Sequence, residues 1–167
     1  LAVVQNAFSA GALIALSCRQ IVMLPGSEIG AALPVVALPL QEPQAADQKV
    51  ISALKGKFRA VAEARGRPVE LAEAMVDPNL EVPGLSAKGE PLTLSADKAV
   101  ELKVADLKAA SLYEALQAAG FSPEVERLAP GPRVQVARFL TSSTVAGLLL
   151  ALGLLLLLVE LFTPGFG

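Results

Sequence analysis

A mixed α/β domain followed by one membrane-spanning helix is the architecture that this sequence of 167 residues predicts. Over residues 1–128, short apolar segments typical of strands alternate with helical segments, which is the pattern of an α/β domain. Residues 145–159 then form a run of fifteen uncharged residues, all of them leucine, alanine, glycine or valine. The first part is long enough to bury its own core, so we expect a folded domain and a separate apolar helix.

The first forty residues contain two predicted strands and one helix. Residues 1–4 and 21–24 are short apolar runs, which predict strands. Residues 9–17 between them are small and apolar and predict a helix that begins at Ser9. A Pro-Gly-Ser turn follows at residues 25–27. Residues 30–40 contain two prolines, which favour an extended or loop-like segment over a helix.

The longest predicted helix covers residues 44–65. Five large apolar residues recur in it at helical spacing and fall within a stripe about 100° wide, which indicates one buried face. They are Val50, Ile51, Leu54, Phe58 and Val61. Gly66 follows at the position where a left-handed glycine commonly ends a helix.

The second half of the domain predicts three shorter helices and one strand. Residues 68–75 form a helix with a proline in its first turn, and residues 77–90 are a loop rich in proline and glycine. Residues 92–94 predict a strand. Ser95 caps a helix that extends to residue 102, and Ser111 caps another that extends to residue 119 and ends at a glycine.

The apolar run near the end of the chain predicts a transmembrane helix over residues 143–162, after a linker at 129–142. With Leu161 and Phe162 beyond Glu160, the apolar segment is about 27 Å long at about 1.5 Å per residue, close to the thickness of a bilayer. The alternative is a buried core helix. A core helix is usually less uniformly rich in leucine, so the composition favours the membrane.

The charge and cysteine content exclude several classes of protein. A net charge of −2, without a basic patch, argues against nucleic acid as the main partner. The single Cys18 permits no internal disulfide and has no metal-ligand companions. No phosphate-binding or dinucleotide-binding motif is present, and we expect no cofactor and no metal.

Ser9, in the run Ser9-Ala10-Gly11, is the candidate nucleophile. The chain contains no histidine, so a Ser-His-Asp triad is impossible and the base of a serine hydrolase would have to be a lysine. Such a lysine must be neutral, which requires apolar surroundings or nearby positive charge. The ordinary interpretation of Ser9 is a helix N-cap, since caps outnumber nucleophiles.

The residues around Ser9 suit acyl transfer. Ala10 and Gly11 are small, so a substrate backbone can approach, and the Ala10 N–H at a helix start can stabilise an oxyanion. Periodicity does not single out the lysine. Lys49 lies in the first turn of its helix, where a cation is unfavourable, and that hints at a function.

Several motifs together resemble the NfeD family of membrane-bound, ClpP-like serine proteases, over nearly the whole chain. They are the segments 7–16, 23–35, 59–67, 72–77, 89–94, 99–102 and 158–167, together with Lys49. The resemblance implies a ClpP/crotonase-like fold, incomplete at its N-terminus, with Ser9 as the nucleophile. The family's base is a lysine seventeen residues before the Gly-Arg pair, which here is Lys49 before Gly66-Arg67.

The resemblance also implies a location and a partner. The family's protease domain lies outside the cytoplasm, and archaeal members cut hydrophobic segments of stomatin-like membrane proteins. Two residues depart from the family pattern: Phe8 stands where a small residue is usual, and Lys103 replaces a glycine. A glycine-rich loop expected before Leu1 supplies the second oxyanion donor. A chain without that donor would lose about 3–4 kcal/mol of transition-state stabilisation, and we expect it to be inactive.

The function predicted from the sequence is therefore a membrane-anchored serine endopeptidase that cleaves apolar segments through a Ser9–Lys49 dyad, with Ala10 as an oxyanion donor. We expect Gly11, Gly26, Ser27 and Gly30 to line the substrate groove, although residues 26–35 would serve equally as a subunit contact in a homo-oligomer. Two alternatives stay open: an inactive membrane scaffold that binds partners, and a crotonase-like acyl-CoA enzyme.

Overall fold

The structure is a computed structural model that describes residues 1–36, 44–122, 129–162 and 165. It divides into two units, residues 1–123 and 124–167. The strands are β1 (Ala2–Phe8), β2 (Ile21–Gly30), β3 (Val35–Val36), β4 (Gln44–Ala45), β5 (Thr93–Ser95) and β6 (Leu107–Lys108). The helices are α1 (Ala10–Ser17), α2 (Gln48–Arg65), α3 (Val69–Ala74), α4 (Ala96–Glu101), α5 (Leu112–Ala118), α6 (Pro132–Leu140) and α7 (Ser143–Phe162).

Strand β2 is the centre of a four-stranded sheet in the first unit. β1 pairs with it in parallel along one edge. On its other edge, β6 pairs in parallel at Val22 and Met23, and β5 pairs antiparallel at Glu28 to Gly30. The order of strands and helices confirms the predicted α/β class, and the parallel pairing places the end of β1 beside the end of β2.

Both faces of this sheet are covered. Alternate strand residues point to opposite faces, so Val4 and Met23 pack in the main core while Val22 packs with Ala109 and Ala115 on the other side. The main core also contains the buried residues of α1 and α2, which are Ala12, Ala15, Leu16, Ile51, Phe58 and Ala62. The sheet is therefore a buried layer between helices.

Local signals predicted the helix ends well. Gly66 has φ 65° and ends α2. The Ser95 hydroxyl accepts a hydrogen bond from the Lys98 N–H at 3.5 Å, and the Ser111 hydroxyl accepts one from the Glu114 N–H at 3.2 Å, so both predicted caps are confirmed. Gly120, with φ 76°, follows the last helix of the unit as predicted.

Long-range pairing changed other predicted elements. β2 continues through the predicted turn at residues 25–27, which forms a bulge: Val4 pairs with Met23, and Asn6 already pairs with Glu28. Helix α2 begins at Gln48 rather than at residue 44 because Gln44–Ala45 pairs with Val35–Val36. β6 was not predicted from the sequence.

The predicted apolar stripe of α2 is partly wrong. Ile51 and Phe58 are buried, and Leu54 and Val61 pack against the core. Val50 is 49% exposed, because it lies at the edge of the stripe in the first turn of the helix. The buried face of α2 is therefore narrower at its N-terminal end than the sequence pattern indicates.

The second unit contains two helices. α7 is a 20-residue helix that is long and apolar enough to cross a membrane, and none of it is buried. α6 lies within the predicted linker, where Pro132 occupies the first turn. Proline is favoured at that position, since its missing N–H needs no partner there.

Candidate active site

Ser9 occupies a strained turn between β1 and α1. Its backbone has φ 53° and ψ −123°, in a region that residues other than glycine rarely adopt. Its N–H donates to the carbonyl oxygens of Gly30 at 3.1 Å and Ala31 at 3.2 Å, which hold this conformation. Such strain usually amounts to about 1–3 kcal/mol and is found most often at functional sites.

The Ser9 side chain does not cap α1. A helix N-cap normally has extended backbone and a side-chain oxygen that accepts an N–H from the first turn. Ser9 has neither, and its residue surface is exposed. A serine with positive φ at a strand-to-helix turn instead matches the geometry of a nucleophile elbow.

The first N–H groups of α1 are available beside Ser9. The N–H of Ala10 and that of Gly11 have no acceptor in the part of the chain that the structure describes, whereas the Ala12 N–H donates to the Ser9 carbonyl at 3.1 Å. The unpaired N–H groups at a helix start stabilise negative charge. Chemically, the turn can therefore combine a hydroxyl with a donor for an oxyanion.

Gly30 brings β5 close to the Ser9 turn. It has φ 139°, and a Cβ atom at this position would lie 2.2 Å from the Leu92 carbonyl oxygen. The adjacent Ala31 has φ 44°, and its N–H donates to the same oxygen at 3.0 Å. The turn at Ser9 is thus supported by two further residues with unusual backbone.

The bulge of β2 contains the other two predicted groove residues. Gly26 is exposed, with φ 70° and open space around it, whereas Ser27 is 1% exposed and its hydroxyl has no hydrogen-bond partner among the described atoms. A cleft of about 340 Å³ lies at the bulge. Its lining residues are Pro25, Gly26, Ala96, Asp97, Lys108, Ala109 and Ala110.

Lys49 is exposed in the first turn of α2. Within residues 1–36 and 44–122 it forms no ion pair, and no hydrogen bond joins it to Ser9. Residues 31–34 contact the surroundings of both residues: the Ser9 N–H donates to the Ala31 carbonyl, and the Ala46 N–H donates to the Pro34 carbonyl at 2.8 Å, just before α2 begins. The start of α2 is thereby tied to the segment that also holds the Ser9 turn.

Three other lysines are bound to carboxylates. Lys55 Nζ lies 2.7 Å from Asp77 Oδ2, and Lys98 Nζ lies 2.8 Å from Glu101 Oε2. Lys108 pairs with Asp97. The hydrogen bond from Lys55 lowers the pKa of Asp77, and burial of the carboxyl opposes this shift. A lysine held by a carboxylate is stabilised as a cation and makes a poor base.

The sequence did not predict a buried arginine at the end of the sheet where β2 begins, opposite to the end with the Ser9 turn. Arg67 is 7% exposed; its guanidinium donates to the Val104 carbonyl at 2.7 Å and to Asp106 Oδ2 at 3.1 Å. Asp106 Oδ2 also accepts the Ile21 N–H at 2.7 Å. This pair fixes the start of β2. The only signal in the sequence was an arginine directly after a helix-ending glycine.

The two unusual residues noted in the sequence occupy different surroundings. Phe8 is 42% exposed directly before Ser9. Lys103 has φ 59°, a conformation that favours glycine. Lys103 lies shortly before β6, near the N-terminal ends of the strands, whereas Ser9 lies at the C-terminal end of β1. The two ends are opposite because β6 and β1 both run parallel to β2.

Comparison with protein families gives one match to most of the chain. The family described as "NfeD1b, N-terminal domain" matches residues 2–126. The membrane protein NfeD1b of Bacillus subtilis (strain 168) is 36% identical over 165 residues, which cover 98% of this chain and 37% of that protein. The membrane-bound protease PH1510 of Pyrococcus horikoshii is 26% identical over 179 residues, covering 96% and 38%. The chain thus spans less than two fifths of these curated relatives.

Solved structures of the 1510-N membrane-bound stomatin-specific protease have the same fold. A lysine-to-alanine variant in complex with a substrate peptide superposes with a TM-score of 0.63 at 22% identity, over 81% of this chain and 65% of that one. A serine-to-alanine variant gives 0.60 at 23% identity, over 75% and 64%. The predicted fold class is confirmed by this likeness to a protease domain.

Proposed function

Because this chain belongs to the NfeD1b N-terminal domain family, we propose that it supplies the catalytic domain of a membrane-anchored serine endopeptidase. The proposed nucleophile is Ser9 and the proposed general base is Lys49. One observation carries the proposal. Among residues 2–17, all of them described, only Ser9 has positive φ, and it lies next to two N–H groups without acceptors in the described chain.

The proposed reaction follows from these groups. A neutral Lys49 amine takes the hydroxyl proton as Ser9 Oγ attacks a peptide carbonyl, and the Ala10 N–H stabilises the oxyanion. The protonated lysine then gives its proton to the departing amine, which leaves an acyl-enzyme. Lys49 finally activates the water that hydrolyses the ester.

The choice of Lys49 is supported by elimination as well as by resemblance. Lys55, Lys98 and Lys108 are each bound to a carboxylate. Lys103 lies at the opposite edge of the sheet, and Lys57 is eight residues, about 12 Å, further along α2 than Lys49. Lys49 and Lys88 remain, and we choose Lys49 because it follows the segment that supports the Ser9 turn and has the family's spacing to Gly66-Arg67.

The proposed substrate is an apolar segment of a stomatin-like membrane protein. The relative PH1510 is described as a membrane-bound protease, and its solved domain as stomatin-specific. We propose that Gly11, Gly26, Ser27 and Gly30 border the substrate groove, that the domain lies outside the cytoplasm, and that the complete protein is a homo-oligomer. Access of substrate to Ser27 would require the bulge of β2 to open, since its side chain is buried.

A serine-directed fluorophosphonate probe tests this proposal in the complete, membrane-inserted protein. Peptide mass spectrometry should find the phosphonyl group on Ser9, and labelling should fall by at least about a hundredfold in Lys49→Ala because the base is absent. Lys57→Ala is the matched control and should label normally. An adduct on a different serine would contradict the assignment.

A specific observation also favours a second function, a non-catalytic scaffold that binds a stomatin-like protein. Lys49 is exposed and is not hydrogen-bonded to Ser9 in the described chain. A scaffold would bind the partner equally well with Ser9→Ala and would leave it uncut in the unsubstituted protein. Cleavage that disappears with Ser9→Ala would exclude the scaffold as the sole function.

A further inference from the structure

Helix α6 carries large apolar side chains that nothing in the described second unit buries. Val134, Val136, Phe139 and Leu140 are all exposed, and none of the nine residues of α6 is buried. A helix with several large apolar side chains in water is unfavourable, since burial of apolar surface is the main favourable term in folding and association. A surrounding that is partly apolar would remove this cost.

The apolar residues are not distributed evenly around α6. Val136, Phe139 and Leu140 are spaced i, i+3 and i+4, so they share one face. Gln135 and Arg138 lie away from this face, and Arg133 lies at its edge, by the same 100° rotation per residue. α6 thus has one apolar face, and the rest of its surface is cationic because the helix contains two arginines and no acidic residue.

The connection to α7 fixes where α6 can be. Only Thr141 and Ser142 separate the two helices, and both hydroxyls donate back to carbonyl oxygens of α6 at 2.8 Å, to Ala137 and Phe139 respectively. The Ser142 carbonyl accepts the Ala146 N–H at 2.8 Å, which starts α7. When α7 crosses a bilayer, the end of α6 therefore lies within about 10 Å of the end of the span.

We propose that α6 is an interfacial helix that binds the anionic phospholipid surface of the membrane crossed by α7. Val136, Phe139 and Leu140 enter the boundary between headgroups and acyl chains, and Arg133 and Arg138 bind lipid phosphates. A helix with two arginines and a glutamine does not enter the hydrocarbon, and its apolar face does not remain in water. In the described part of the chain neither arginine is ion-paired, which leaves both for headgroups.

The absence of tryptophan from the chain permits a direct test. Phe139→Trp places a single indole on the apolar face, and Val134→Trp places one on the opposite side of α6 as the matched control. Each intact chain is reconstituted through α7 into vesicles of phosphatidylcholine with or without phosphatidylglycerol. Fluorescence emission is then measured with lipids brominated near the headgroup and with acrylamide in the water.

We expect the indole of Phe139→Trp to emit at shorter wavelength, and to be quenched by the brominated lipid, while that of Val134→Trp is quenched mainly by acrylamide. Replacing both arginines by glutamine should weaken docking on the anionic vesicles roughly thirtyfold, at about 1 kcal/mol per charge. Equal quenching of both indoles by acrylamide would overturn the proposal. Protection that depends on protein density and not on lipid would also overturn it, because a second copy would then cover the face.

Discussion

The backbone N–H of Ser9 donates to the carbonyl oxygen of Gly30 at 3.1 Å, and this bond joins the end of β1 to the end of β2. Both residues have positive φ. The candidate nucleophile is therefore held by a glycine on a neighbouring strand, twenty-one residues later in the chain. The strained backbone of Ser9 is therefore maintained by contacts between the ends of β1 and β2 rather than by the local sequence.

Gly30→Ala should destabilise the domain by about 3 kcal/mol or more. The new Cβ atom would lie 2.2 Å from the Leu92 carbonyl oxygen, and alanine is strained at φ 139°. Pulse proteolysis of the intact chain in urea measures the loss. Gly56→Ala, in α2 with open space around it, is the control and should stabilise by about 0.5–1 kcal/mol. Equal midpoints for both variants would show that Gly30 has no special packing role.

Lys103→Gly should stabilise the domain by about 0.5–1 kcal/mol. Lys103 has φ 59°, where a side chain is unfavourable by about 1–2 kcal/mol, and the greater flexibility of glycine in the unfolded chain offsets part of the gain. Lys103→Ala keeps the strain and should give almost no gain. The same proteolysis measurement applies, and a glycine variant that is less stable than the alanine variant would contradict the conformational explanation.

The Lys55–Asp77 pair should make stability depend on acid pH. The pKa of Asp77 is lowered in the folded chain, mainly by the hydrogen bond from Lys55. As the pH falls below about 4, the unfolded chain therefore binds more protons than the folded chain. The pair's contribution is present above that pH and is lost as the pH falls through the lowered value. Asp77 also accepts hydrogen bonds from Asn79.

Lys55→Ala is the variant that isolates this pair. It should lose about 1–3 kcal/mol at neutral pH, since the nearly buried Asp77 carboxylate then lacks a cation, and its stability should fall less on acidification. Lys98→Ala removes an exposed pair with Glu101 and should change stability by at most about 0.5 kcal/mol. An acid dependence that is unchanged in Lys55→Ala would assign it to other carboxyls.

Much of the fold was predictable because local chemistry determines it. Ser95 and Ser111 have extended backbone directly before a helical run, so their hydroxyls cap the helices. Gly66 ends α2 because glycine adopts φ 65° without strain. The apolar run of α7 needed no tertiary information either. The two caps and the glycine depend on residues fewer than five positions away, and the α7 run depends on composition alone.

The remaining features depend on residues far apart in the chain. Pro25-Gly26 is typical of a turn, yet β1 pairs with β2 on both sides of it and β5 pairs with β2 beyond it. Gln44–Ala45 pairs with Val35–Val36 and delays the start of α2. At the site, Ser9 and the helix start were evident from sequence, whereas its positive φ comes from Gly30 and Ala31. The choice of Lys49 came from the family resemblance, since lysine spacing alone did not decide it.

Cleavage of an apolar peptide by the complete, membrane-inserted protein tests the Ser9–Lys49 dyad most directly. The rate is measured for the unsubstituted protein, Ser9→Ala, Lys49→Ala and the control Lys57→Ala. We expect a loss of at least about a thousandfold in each dyad variant and less than a twofold change in the control, because neither the nucleophile nor its base can be replaced. Cleavage by Lys49→Ala at the rate of the unsubstituted protein would contradict the account.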